Sequence, residues 1–109
     1  MQTQILNKVF DFIVWIEPKI TMFPRNYRYN LGNRIENTLY DTMESLIQVR
    51  FSKNKLRYLY DSNTSIEKLR YYFRLCYKLK IIKDKCYEHL SLLLTEISTL
   101  LNSNINEHK

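Results

Sequence analysis

Only one glycine and two prolines interrupt this chain of 109 residues. Both residue types make the tight turns that an all-β fold requires, and both break helices. Their scarcity favours a small number of long helices joined by short links. Apolar residues make up 45% of the sequence, which is ordinary for a globular protein and sufficient for a core in one domain. We therefore expect a single α-helical domain over residues 1–109.

Apolar side chains at steps of three and four residues predict the first long helix over Thr3–Met22. Pro18 lies within it and removes one helical hydrogen bond, which predicts a kink or an early end. A second helix is predicted over Asn30–Phe51, because Asn30 is a competent N-cap. Gly32 falls in the first turn of that helix, where a glycine suggests the close approach of another backbone.

Two further helices complete the pattern. The polar run Asp61–Ser65 is typical of a turn followed by a cap, so the third helix is predicted over Ser65–Lys80 with Leu79 on its inner face. A short link near Ile81–Lys83 leads into a fourth helix, and the polar tail from about residue 103 is expected to fray. Short links join antiparallel neighbours, so the predicted fold is all-α, an antiparallel up-down-up-down four-helix bundle.

No segment is predicted to cross a membrane. The longest apolar run, Phe12–Ile16, is far shorter than the ~20 residues that a bilayer requires. The two cysteines do not form a disulfide framework, which favours a reduced, cytoplasmic setting.

The sequence contains no recognisable catalytic set. Cys86 and His89 have the spacing of metal ligands on a helix, but no second Cys or His pair accompanies them. A buried thiol beside an imidazole is the better interpretation. A glycine-rich phosphate loop is excluded, since Gly32 is the only glycine. We expect no enzymatic activity, no metal and no cofactor.

The basic residues are more informative. Residues 65–86 contain seven bases and two acids, a local charge of +5 within a chain of net charge +6, which indicates a surface for a polyanion. Arg70, Arg74 and Lys78 are four residues apart and form a stripe on the third predicted helix. Tyrosines lie among the bases, and tyrosine stacks on unpaired nucleotide bases while Arg and Lys contact phosphate.

The candidate residues for binding nucleic acid or a protein partner form three groups along the chain, namely Arg25, Arg28, Arg34, Arg50, Lys53, Lys55, Arg57, Arg70, Arg74 and Lys78. A stripe of charge on a helix is also what a merely solvated face looks like, and nine tyrosines also serve helix packing. The surplus of large apolar and aromatic side chains over one four-helix core predicts a homo-oligomer.

Several short motifs follow one another between about residues 5 and 98. They are Trp15 to Ile20, Phe23-Pro24-Arg25, Leu31-Gly32 with Arg34-Ile35, Leu69-Arg70 with Arg74-Leu75, Tyr87-Glu88-His89-Leu90, and Glu96-Ile97. Their order and spacing resemble the accessory variability determinant proteins of diversity-generating retroelements. The resemblance implies a four-helix protomer in a homopentameric barrel, a reverse transcriptase partner, and binding of template RNA in support of mutagenic cDNA synthesis. The Gly-rich end that is frequent in that family is replaced here by Ser98–Ser103.

Two other interpretations stay open. The four-helix proteins encoded in ribosomal RNA intervening sequences share the fold, but their usual Ser-Ile-Pro-Ser-Asn-Ile-Ala-Glu-Gly stretch is absent from this chain. The third possibility is an oligomeric adaptor whose basic face binds an acidic protein.

Overall fold

The computed structural model describes residues 2–109, and within that range it is entirely helix, turn and link, with no strand. The elements in chain order are α1 (Gln2–Ile20), α2 (Arg25–Tyr27), a π-helical segment (Arg28–Gly32), α3 (Asn33–Phe51), α4 (Lys55–Lys78) and α5 (Asp84–His108). The four long helices are α1, α3, α4 and α5. The predicted all-α four-helix fold is confirmed.

The long helices lie antiparallel. Lys8 of α1 pairs with Glu96 of α5, and Trp15, about two turns later, contacts His89, so residue numbers rise along α1 as they fall along α5. Only residues 52–54 connect α3 to α4, and packed helices with so short a link must reverse direction. The molecule is 42 Å in its longest dimension, about the length of one 25-residue helix at ~1.5 Å per residue.

One hydrophobic core runs through the bundle. All four long helices and the two longer links contribute to it, and its fully buried members include Ile5, Ile16, Ile20, Ile35, Leu39, Leu46, Leu59, Ile66, Leu69, Phe73, Leu90 and Leu94. Two fully buried hydroxyl groups lie among them, and each donates to a backbone carbonyl one turn earlier: Thr42 to Thr38 at 2.7 Å and Ser62 to Tyr58 at 2.8 Å. Those bonds offset the desolvation of both hydroxyls.

The start of the second long helical region differs from the prediction. Helical structure begins at Arg25 rather than at Asn30, directly after Pro24, whose φ of −52° suits an entry into a helix. Asn30 is therefore not an N-cap. It lies in the π-helical segment, where its Oδ1 accepts from the Leu31 amide at 2.6 Å and its Nδ2 donates to the Asn26 carbonyl at 3.0 Å.

Gly32 also differs from its predicted role. A Cβ added there would meet the side chains of Ile20 and Phe23 at 3.4 and 3.7 Å, and the Tyr27 carbonyl of the same helical turn at 3.6 Å. Its neighbours are side chains from the end of α1, at ordinary contact distances, so no second helix backbone requires a glycine at this position.

The predicted turn and cap at Asp61–Ser65 is wrong, because α4 passes through it without a break. The turn lies at residues 52–54, where Ser52 Oγ accepts from the Asn54 amide at 3.0 Å and Asn54 Oδ1 accepts from the Arg57 amide at 3.4 Å. Ser62 is fully buried, so this polar residue acts as a small packing residue within the helix.

Both later helix ends also differ from expectation. Because α4 ends at Lys78, Leu79 lies in the link and is exposed rather than facing inward. The last helix reaches His108, and Asn104 and Ile105 are buried, so the segment after residue 103 packs on the bundle. No helix within residues 2–109 combines the length and the apolar character needed to cross a bilayer.

Candidate nucleic-acid interface

The antiparallel arrangement places most of the predicted bases at one or the other end of the bundle. One end, here the α4–α5 end, comprises the segment from Arg25 to Gly32, the start of α3 and the link at residues 79–83. The other, the α3–α4 end, surrounds residues 52–54. Arg57 and Lys78 are 21 residues apart on one helix, which is about 32 Å at ~1.5 Å per residue. The ten candidate bases therefore do not form one patch.

At the α4–α5 end lie Arg25, Arg28, Arg34 and Lys78, all of them exposed. The guanidinium of Arg28 lies 5.6 Å from the centre of the Tyr29 ring. Arg25 and Arg28 belong to α2 and to the π-helical segment, so the backbone between α1 and α3 presents them at this end.

Arg70 and Arg74 lie between the two ends, on the side of α4 that borders α5. Arg70 is half-buried, with Nη2 at 3.4 Å from Thr95 Oγ1 and Nε at 3.8 Å from a carboxylate oxygen of Glu67. Arg74, one turn further on, is exposed. The predicted stripe thus begins with a residue that is in part engaged by the protein and continues with one that is exposed to solvent.

The α3–α4 end holds Arg50, Lys53, Lys55 and Arg57. The ammonium group of Lys55 donates to the Val49 carbonyl at 2.6 Å, so it satisfies a carbonyl in the last turn of α3 and complements the helix dipole. The Arg57 guanidinium lies 5.5 Å from the Tyr58 ring centre. Two of these four bases therefore have contacts within the protein.

Sequence periodicity missed three further lysines. Lys80, Lys83 and Lys85 join Lys78 around an open cleft of about 660 Å³ at the α4–α5 end. They were overlooked because two of them lie in the link, where helical spacing identifies no face. The signal that contained them was the local charge of +5 over residues 65–86.

Tyr77 lines this cleft and packs against a second tyrosine, Tyr87. The rings of Tyr77 and Tyr87 stack with centres 4.5 Å apart and planes within 11°. The Tyr77 hydroxyl donates to Asp84 Oδ1 at 2.8 Å, and this hydrogen bond raises the pKa of Tyr77. Asp84 is thereby engaged by a neutral donor at one edge of the cleft.

Neither thiol has the character of a nucleophile. Burial raises the pKa of Cys76 to about 12 and also raises that of Cys86, where nearby Lys19 acts in the opposite direction. Both thiols are protonated at neutral pH, and the thiolate is the reactive and metal-binding form. The His89 ring packs edge-on against Trp15 at 4.8 Å, and no cluster of three metal-binding side chains occurs among residues 2–109.

A different surface lies on the outer side of α1 and α3. It is formed by partly or largely exposed apolar and aromatic side chains, here called the α1–α3 apolar face, whose main members are Phe10, Val14, Tyr40, Ile47 and Phe51. No lysine or arginine occurs from Ile35 to Val49, and the single base before Pro18 is Lys8, which pairs with α5.

Two carboxyl groups, Glu17 of α1 and Glu36 of α3, lie beside this face. Desolvation is the largest cause that raises the pKa of Glu36, and the adjacent Glu17 raises it further. Arg28 acts in the opposite direction. Desolvation and Glu17 also raise the pKa of Tyr40. Glu17 Oε1 is buried and has no hydrogen-bond partner. A proton held on Glu36 would give this oxygen a donor.

Comparison with known families gives one match. The model of the bAvd-like family matches residues 3–108, which is almost the whole chain. This confirms the relationship inferred from the short motifs. No curated protein matches the chain.

Proposed function

Because the chain belongs to the bAvd-like family, a family of accessory proteins, we propose that it is a non-catalytic accessory protein of a diversity-generating retroelement in the cytoplasm. In this proposal it binds the reverse transcriptase and the template RNA and supports mutagenic cDNA synthesis. The observation that carries the proposal is the distribution of charge: eight of the ten candidate bases are exposed on a helical scaffold of net charge +6.

RNA binding of this kind is mainly electrostatic. Lys and Arg contact phosphates, counterions are released, and the affinity falls steeply with salt while depending little on sequence. Oligomerisation repeats each basic surface and converts weak contacts into avidity. Selectivity for the template then derives from RNA shape and from the reverse transcriptase.

The first test replaces Arg70, Arg74 and Lys78 by Gln and measures the affinity for a structured RNA by fluorescence anisotropy across a salt series. Gln preserves helix propensity. If all three bases contact phosphates, the slope of log K against log salt falls by roughly 2 to 3, at about 0.7–0.9 per contact. A variant that stays folded and keeps the parent's affinity and slope would show that this stripe is only a solvated face.

We further propose that the protein assembles with copies of itself through the α1–α3 apolar face. Contiguous exposed apolar surface is typical of interaction sites. A second copy is the favoured occupant because the repulsion between chains of charge +6 is smallest where the surface presents no base, and this face is free of bases over most of its length. The family resemblance favours a closed ring of five copies, in which this face packs against a different patch of the neighbouring copy, because a face that packs on itself closes as a dimer.

Light scattering tests the assembly. Five copies of the 13.4 kDa chain have a mass of 67 kDa, whereas a stable species of 13.4 kDa at micromolar concentration would contradict the proposal. Replacing Phe10 and Ile47 by Ser is expected to lower the mass. Leu92→Ser is the control, because Leu92 is at least as exposed as Phe10 and Ile47 but lies on α5 away from this face.

The partner enzyme is tested by co-expression. The reverse transcriptase of the same retroelement is expected to co-elute with the protein in size-exclusion chromatography, and added RNA is expected to strengthen the complex. The adaptor interpretation predicts the opposite result, namely a salt-sensitive complex with an acidic protein and none with the reverse transcriptase.

A further inference from the structure

The turn between α4 and α5 is held by its own backbone. Lys80 has a φ of 61°, in the left-handed region. Its amide donates to the Tyr77 carbonyl at 3.0 Å, and the Ile81 amide donates to the Cys76 carbonyl at 2.8 Å. These two bonds close the end of α4 in the manner of a Schellman motif. Ile82, only 8% exposed, anchors the link in the core.

Four lysines lie on this turn and on the two helix ends that it joins. Lys78, Lys80, Lys83 and Lys85 are all exposed and line one cleft. No carboxylate oxygen of residues 2–109 lies within ion-pair distance of any of their ammonium groups. The single carboxylate in the cleft lining, Asp84, accepts the Tyr77 hydroxyl. Four ammonium groups against this one carboxylate leave the cleft lining with a net charge of +3, which is four minus one.

The α3–α4 end differs in two ways: two of its bases contact other groups of the protein, and the groove next to it is acidic. Lys55 is bonded to a backbone carbonyl and Arg57 covers a tyrosine ring. The neighbouring groove between α3 and α4 is lined by Asp41, Glu44 and Asp61 against a single base, Lys68. A phosphate backbone leaving this end along the groove would meet repulsion from these three carboxylates.

We infer that the phosphate backbone of bound RNA occupies the cleft at the α4–α5 end, with Lys78, Lys80, Lys83 and Lys85 as its contacts, and that the α3–α4 end is not the primary site. This inference rests on the proposed RNA-binding function and narrows it to one end of the bundle. Ammonium groups are point charges that contact phosphate oxygens without reading bases, so binding at this cleft is independent of sequence.

The test compares two variants that each lose three charges. One replaces Lys80, Lys83 and Lys85 by Gln, and the control replaces Arg50, Lys53 and Arg57 by Gln. Affinity for one structured RNA is measured at about 0.15 M salt, where the Debye length of about 8 Å screens charges at the far end of the bundle. The first variant is expected to bind at least tenfold more weakly than the parent, and the control within about threefold, because only contacting bases release counterions.

The other outcomes separate the two proposals. Equal losses in both variants, or a loss in the control alone, overturn the placement of the RNA and leave RNA binding intact. An unmodified protein that binds no RNA even at low salt overturns both. Circular dichroism and light scattering check that each variant keeps the parent's fold and assembly.

A second measurement uses the unmodified protein and so does not depend on a variant folding. Lysines are acetylated with and without RNA, and the modified sites are identified by mass spectrometry. RNA is expected to protect Lys80, Lys83 and Lys85 more than Lys53 and Lys109. Preferential protection of Lys53 would overturn the inference.

Discussion

Both ends of the bundle carry a group of bases, four at the α3–α4 end and seven at the α4–α5 end, but the two groups differ in what their side chains contact. At the α3–α4 end, Lys55 bonds to the Val49 carbonyl and Arg57 lies against Tyr58. At the α4–α5 end, the backbone satisfies its own carbonyls, and the lysines of the turn project into an open cleft. A count of charges along a sequence therefore does not locate a phosphate site, because some bases are already engaged in holding helix ends together.

The largest expected difference between the ends concerns anchoring of their apolar residues. Ile82 is buried in the α4–α5 link, whereas Phe51 at the end of α3 is 79% exposed. Ile82→Ala is expected to lower the free energy of unfolding by about 2–4 kcal/mol, through lost burial and the cavity left behind. On a background with Phe10→Ser and Ile47→Ser, which weaken assembly through the face that also holds Phe51, Phe51→Ala should change it by less than about 0.5 kcal/mol. Chemical denaturation measures both, and equal effects would refute the view that the α4–α5 link is the anchored one.

A second prediction concerns the lysines themselves. Lys55→Ala is expected to destabilise the fold by about 1 kcal/mol, because the Val49 carbonyl loses its charged donor. Its effect on RNA affinity should be small. Lys85→Ala should do the reverse, with unchanged stability and weaker RNA binding. Denaturation midpoints measure the stability of the two variants, and anisotropy titrations measure their RNA affinity. A Lys55 variant of unchanged stability would contradict the view that Lys55 holds the end of α3.

Gly32, at the α4–α5 end, gives a third and smaller effect. Its backbone is helical, and an added Cβ would meet its neighbours at 3.4 Å or more. Gly32→Ala is therefore expected to stabilise the protein by roughly 0.5–1 kcal/mol through reduced backbone entropy of the unfolded chain. A lower melting temperature would instead show that the contact with Ile20 has no room for a methyl group.

The smallest predicted effect is a dependence of stability on pH at the carboxyl pair beside the α1–α3 apolar face. The pKa of Glu36 is raised in the folded state, so the folded protein binds this proton more tightly than the unfolded chain does. The resulting stability is complete below the unfolded pKa and is lost as pH rises through the folded pKa. Glu36→Gln should remove this slope above about pH 4.5 and raise stability at neutral pH.

The pH prediction has its own matched control. Glu44 lies on the same helix and is exposed, so Glu44→Gln is expected to leave the slope unchanged. Melting temperatures measured from pH 4 to pH 8 distinguish the two variants. A parent protein whose stability rises steadily over that range would contradict the assigned role of Glu36.

Much of the fold was predictable because helix formation and amphipathic burial are local properties. The scarcity of glycine and proline indicated long helices, and steps of three and four identified inner faces such as Ile35, Leu39 and Leu46, which are buried. Helix ends were less predictable. Asp61–Ser65 has the composition of a turn, yet Ser62 fits against the core within α4 and satisfies its hydroxyl on Tyr58. Packing there outweighs local preference.

The candidate interface was predictable only in part. The net charge, the groups of bases and the family motifs follow from composition and order along the chain, and the sequence by itself determined them. Tertiary structure alone decided which bases share an end, because antiparallel packing brings Arg25 and Arg28 to the same end of the bundle as a link more than fifty residues away. It also decided which bases stay exposed, since the partner of Lys55, the Val49 carbonyl, becomes reachable only once the chain reverses at residues 52–54.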